Sequence, residues 1–205
     1  MTEIEQEIRD NWFKNHVATL TTQGEITVLQ WEKPGTRAYS CRYVFDGSKM
    51  YISGDIGSAV FDLTWKADVH SFNDVDIHYF DEKMSPYSKD KRDFNGDKAG
   101  QRIEKWKQEL DAAGIQYDQE MMDNLIADAY GSSSREEWEI GCVNDQYNDF
   151  IVKLDLDYWE WIYTCGDEIP TRVYGYLCGL KMASEQLLSK KKERGLDNGV
   201  DKTAV

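Results

Sequence analysis

Residues 68–81, DVHSFNDVDIHYFD, hold two of the chain's three histidines among closely spaced aspartates. If 74–78 is extended, Asp74, Asp76 and His78 point to one face; if 70–78 is helical, His70, Asp74 and His78 align at i, i+4 and i+8. Either arrangement presents mixed imidazole and carboxylate ligands of the kind that suit zinc, manganese or iron, and an open coordination position would make the site hydrolytic. On this reading a divalent metal is the cofactor of a hydrolase or nucleotide-handling enzyme, with Asp55 on a turn close by; the competing reading needs no cofactor. The 38 acidic residues of the chain dilute the signal, because they place some carboxylate beside any histidine by chance. Nucleophilic catalysis has less behind it, since there is no G-x-S-x-G elbow and no recognisable Cys/His pattern. His16, beside an apolar helical stripe, reads as a helix surface residue.

A second stretch, LDLDYWEWIYTCGDE at 154–168, alternates acids with Tyr158, Trp159, Trp161 and Tyr163. These four rings cannot all face one core from a single helix or strand. Rings left at the surface beside carboxylates make a protein-binding spot, the aromatics supplying burial and the acids steering. The expected partner-binding residues are therefore Asp155, Asp157, Tyr158, Trp159, Glu160 and Trp161, with Asp145 and Asp149 just upstream. A dense aromatic core between helices is the competing reading.

Charge points the same way. The formal net charge is −14, and residues 118–168 carry fourteen acidic side chains against Arg135 and Lys153, while 169–205 carry seven basic against four acidic. Such a surface repels nucleic acid phosphates and is drawn to proteins with basic surfaces. Direct nucleic-acid binding is not expected. Solubility alone also accounts for an excess of Asp and Glu.

The elements that must position these residues follow from periodicity. Ile4, Ile8, Trp12, Val17 and Leu20 form a helical stripe, with acids in the first turns. After Gly24 come four runs rich in β-branched and aromatic residues, 25–31, 38–45, 49–53 and 58–65, separated by KPGT, DGS and GDIG. They predict an antiparallel meander. Asp46-Gly47 is a hairpin signal, and Gly54-Asp55-Ile56-Gly57 reads as the next turn, because a phosphate loop would open a helix whereas here a strand follows; the competing reading is a ligand loop in which Asp55 projects from a tight corner. From residue 72 onward the chain reads as helical. The helices expected are 95–113, 118–130, one opened by a Ser134-x-x-Glu137 capping box and lined by Trp138, Cys142, Tyr147, Phe150, Ile151 and Leu154, and a last one opened by Asp167 and Pro170. That last helix should close at Lys190, Lys191, Lys192 and Arg194 before Gly195, with a frayed tail from Leu196.

The fold class is therefore α+β: an N-terminal helix and a small antiparallel sheet of three to four strands, packed with a C-terminal layer of about four to five helices. Seven Trp, twelve Tyr and seven Phe supply ample core area for a single compact domain over 1–205. The best break, SPYSKDKRDFNG at 85–96, would separate a helix-plus-sheet part, 1–85, from a helical part, 95–195. The acidic start MTEIEQEIRD is unlike a secretory leader and no apolar run reaches about 18 residues, so a cytoplasmic protein with no membrane partner is expected. Cys41, Cys142, Cys165 and Cys178 show no paired spacing and read as reduced, mostly buried thiols.

The stretch VFDGSKMYISGDIGSAVFDLTWK, residues 44–66, resembles a loosely defined group of small acidic proteins from phages and mobile elements of Gram-positive bacteria. Its members share a hairpin of the type Y/L-x-x-x-G-D-x-G-x-A-V-F followed by a Trp. The likeness spans roughly residues 30–80 and carries over no catalytic residue. It implies a phage-type, non-enzymatic inhibitor in a bacterial host cell, such as an anti-CRISPR or other anti-defence protein. The implied partner is a host protein that handles nucleic acid, such as a CRISPR effector nuclease, and several inhibitors of this kind mimic DNA with carboxylates.

Overall fold

The structure, a computed structural model, describes residues 1–88 and 91–197, without the side chains of 194–197. Its packing divides the chain into two units, Met1–Asp90 with Pro170–Val205, and Lys91–Ile169. The fold is α+β.

In the first unit, Thr2 and Glu5 cap each other reciprocally and start α1, Glu3–Glu7. The helix widens into a π turn over Ile8–Trp12, closed by the Phe13 N–H donating to the Ile8 carbonyl at 3.0 Å. The five-residue step from Ile8 to Phe13 brings both side chains into the core, which a regular α turn would not do. The expected helix to Leu20 stops here. VATLTTQ, Val17–Gln23, is strand β1, because its Val and three Thr favour a pleated backbone over a helix.

Strands β2 (Ile26–Glu32), β3 (Cys41–Asp46), β4 (Lys49–Gly54) and β5 (Ala59–Asp62) continue the meander, followed by helix α2 (Ile77–Glu82) and strand β6 (Met84–Tyr87). The sheet has six antiparallel strands in sequence order, more than the three to four expected. Pro86 and the polar neighbours of β6 hid the sixth strand, and a proline is tolerated there because β6 lies at the sheet edge. The Asp46-Gly47 turn forms as expected, with Asp46 paired to Lys49 and Gly47 at φ +60°. Across the sheet Leu29, Tyr43, Ile52 and Ala59 stand in one register row, and Phe45, Met50 and Phe61 in another; all are buried.

The last helix belongs with this sheet unit, whereas the sequence groups it with the helices. This helix, α6, runs Thr171–Asp197, past Gly195. Its Gly179 admits the Tyr43 hydroxyl and the Trp31 ring so closely that a Cβ would stand 2.4 Å from that oxygen. The Tyr43 hydroxyl then donates to the Tyr176 carbonyl at 3.0 Å. The tail beyond 197 lies outside the described residues, and among these no helix is long and apolar enough to cross a membrane.

In the second unit the two-residue strands β7 (Asp93–Phe94) and β8 (Asp167–Glu168) pair and bring its ends together. Asn95 caps α3, Gly96–Ala112, and Asp118 caps α4, Gln119–Gly131, as the spacing predicts. The single helix expected from Ser134 is two. A π-helical segment, Glu137–Gln146, leads through Tyr147 into α5, Asn148–Leu154. Cys142 and Tyr147 are again five apart, and the Tyr147 N–H donates to the Cys142 carbonyl at 2.9 Å, so the wide turn keeps the apolar stripe on the core. The capping box is also shared differently: Ser134 accepts the Glu137 N–H, but the Glu137 carboxylate takes the N–H and hydroxyl of Ser133.

All four thiols are free, and Cys41, Cys142 and Cys178 are buried. Burial is the leading cause that pushes Cys41 and Cys165 up to about 12 and Cys178 up to about 11, so these thiols stay protonated and poorly nucleophilic.

Candidate functional site

Helix α5 ends at Leu154, and residues 155–164 double back as two short 3-10 turns, Tyr158–Glu160 and Ile162–Thr164. Hydrogen bonds sort the side chains of this return. Trp138, fully buried, donates its Nε1–H to the Ile162 carbonyl at 2.7 Å and pins the segment. The Tyr158 hydroxyl donates to Asn148 Oδ1 and the Tyr163 hydroxyl to Asn144 Oδ1, both at 2.8 Å. The two rings lie 6.2 Å apart, tethering the return to the stretch that carries Asp145 and Asp149. Burial first, then the Tyr158 hydroxyl and the Glu139 carboxylate, raise the Tyr163 phenol, which stays neutral.

Trp161 packs edge-on against Trp106, with ring centroids 5.4 Å apart, and carries the Arg102 guanidinium 4.2 Å above its ring. Its Nε1–H donates to Asp155 Oδ2 at 3.0 Å, while Asp155 Oδ1 accepts the Asp157 N–H at 2.9 Å. Asp155, Tyr158 and Trp161, each half-buried, thus have their polar atoms bonded within the chain, unlike the other expected partner-binding residues. The reason is local: in a 3-10 turn residues three apart line up, so Tyr158 and Trp161 turn inward together while Trp159 and Glu160 between them face out.

Trp159 remains at the surface with 58% of its area exposed, next to Leu156 at 78%, and Asp157 and Glu160 beside them are exposed too. Asp145 and Asp149 are exposed on their helices, as is Ile140. Leu156 and Ile140 were not singled out by sequence reasoning. The D-L-D setting of Leu156, an apolar residue between two acids, was the one available signal. An exposed indole and leucine in a run that also exposes Asp157 and Glu160 present apolar area and negative charge to the same partner.

The Asp/His stretch is used differently. His70 Nδ1 lies 2.8 Å from the buried Ser184 hydroxyl of α6. Asp76 caps α2, accepting the His78 and Tyr79 N–H groups at 2.9 and 3.0 Å, and these bonds hold its carboxyl below the usual range. Asp74 and His78 do not complete a ligand set with them. Among the described residues no group of three His, Cys, Asp or Glu side chains could hold a metal ion. The helix begins only at Ile77, so neither an i, i+4, i+8 ladder nor an extended 74–78 exists.

Asp55 accepts the Tyr39 N–H at 2.8 Å and so braces the loop between β2 and β3. Its flanking Gly54 lies against the Ser40 carbonyl, where a Cβ would come within 2.0 Å. The GDIG turn serves close packing of two loops. No protein-family model, no curated protein and no solved structure matches the chain.

Proposed function

We propose that the protein is a non-enzymatic interaction protein that binds a partner with a basic surface through Trp159, Leu156 and the surrounding Asp157, Glu160, Asp145 and Asp149. The observation that carries this reading is the exposure of Trp159 and Leu156 in one short run with the exposed Asp157 and Glu160. They sit in a unit, 91–169, that holds nineteen acidic against eight basic residues, a net of −11 out of −14 for the chain. Proteins that handle nucleic acids have basic channels that fit this surface, and an indole in a desolvated pocket is a common anchor of binding energy. The phage-type resemblance makes a bacterial anti-defence inhibitor the role in view, and a CRISPR effector nuclease the first partner to test.

The test is binding of the purified protein to such a nuclease at low and high salt. The expected result is an affinity that falls at least about tenfold between roughly 50 and 500 mM NaCl. Trp159→Ala should cost about 2 kcal/mol or more of binding, and Asp157→Lys with Glu160→Lys a similar amount, with folding intact. Binding that ignores both salt and these variants would remove the face from the mechanism.

A further inference from the structure

A second feature lies in the sheet unit. The π turn at Ile8–Trp12 and the loop after β2 enclose a cleft of about 390 Å³ lined by Trp12, Lys14, His16, Lys33, Thr36 and Tyr39, among others. That is within the ~300–1,000 Å³ range of small-molecule sites. Its chemistry contrasts with the rest of the chain: two lysines line it and, among the described residues, no Asp or Glu does. Neither ammonium group enters an ion pair with a described residue.

His16 is 4% exposed, and its buried ring nitrogens make no well-aligned hydrogen bond but have the Tyr39 and Ala38 backbone close by. It packs against Phe13 and Trp31, with ring centroids 4.9 and 5.5 Å away, which corrects its reading as a helix surface residue. Trp12 and Tyr39 stack at 4.9 Å with a 13° angle and form a flat wall. Tyr39 holds φ +56°, a costly conformation for a bulky residue, and Asp55 secures it through the Tyr39 N–H. The ring is thereby set in place at the cleft.

We propose that this cleft binds a small anion carrying a flat ring, of the nucleoside monophosphate class. Lys14 and Lys33 meet the phosphate, Thr36 supplies a hydrogen bond, and the Tyr39 face takes the ring, with His16 in the wall behind them. Two charge-assisted contacts with one stacking surface give a site for the phosphate and the base together, in which either part alone binds more weakly.

The imidazole Hε1 resonances report this directly by nuclear magnetic resonance. There are three histidines, and His16 is assigned through its contacts with the Phe13 and Trp31 rings, so no variant is needed. The probes are adenosine monophosphate, adenosine and inorganic phosphate. The expected result is a saturable shift of the His16 signal by the monophosphate with sub-millimolar affinity, at least about tenfold weaker for adenosine or phosphate alone. Lys14→Ala with Lys33→Ala, both at exposed positions, should weaken it by about tenfold or more while the other two signals hold still. An unmoved His16 signal at about 10 mM monophosphate, or a shift indifferent to the lysine pair, would overturn the site. A shift equal for phosphate and the monophosphate would overturn the part assigned to the ring. The measurement involves no protein partner, so either outcome leaves the reading of the Trp159 face to its own test.

Discussion

Trp159 and Trp161 stand two residues apart in one acid-rich run, and their surroundings give them opposite work. Trp161 is fixed by Trp106, Arg102 and Asp155, whereas Trp159 projects into solvent. Trp161→Ala should lower folding stability by about 2 kcal/mol or more, and Trp159→Ala should stay within about 0.5 kcal/mol, both read from urea denaturation. His16 sets a pH dependence. Burial is the main cause that holds its imidazole below the usual 6.5, with Lys33 adding to this and the Tyr39 and Ala38 backbone opposing it. The unfolded chain takes up the proton first as pH falls, so this part of the stability is complete above the unfolded value and is lost as pH drops through 6.5 toward the folded one. The urea midpoint should be lower at about pH 5.5 than at about pH 7.5, and His16→Gln should flatten that difference. Neither the burial of His16 nor the split between the two tryptophans is legible in residue order, because each depends on side chains far along the chain or on which residues of a short 3-10 turn face inward.

At the scale of elements, much was legible. Caps at Asn95 and Asp118, the Asp46-Gly47 hairpin and the alternation in β2 to β5 are local, and each acts through neighbours within a few residues. Strand β1 departs from the expected helix because its apolar spacing suits only a weak helical stripe, while its β-branched content and pairing with β2 decide for the sheet. The wide turns at Phe13 and Tyr147 follow five-residue apolar steps that look like noise in a 3.6-residue period. Glycines separate cleanly by surroundings. Gly54→Ala should cost about 2–4 kcal/mol, since its Cβ would collide with the Ser40 carbonyl at 2.0 Å on a backbone at φ +156°. Gly141→Ala, with nothing within 4 Å of the added carbon and a helical backbone, should be neutral or stabilise by up to about 1 kcal/mol. Thermal melts of the two variants check the pair.

At the scale of the molecule, charge is the leading property. With −14 overall and −11 of it in residues 91–169, self-repulsion opposes folding at low ionic strength. Raising NaCl from about 10 to about 150 mM, which shortens the screening length to about 8 Å, should raise the melting temperature by a few degrees, as followed by scanning fluorimetry. The same screening should weaken any basic partner, so stability and binding are expected to move in opposite directions with salt.

The sequence by itself determined the α+β class, the hairpin turns, the helix caps and the uneven charge, because composition and contacts within a few residues suffice for these. Tertiary structure decided the rest. It sent α6 back to the sheet, where Gly179 makes room for Tyr43, and it spent His70 on Ser184 and Asp76 on a helix cap. It left Trp159 and Leu156 exposed and buried His16 in the wall of a cleft lined by two lysines. A candidate site is a matter of which side chains are left over once packing and hydrogen bonding have taken their share, and that remainder is set by contacts between residues distant in the chain.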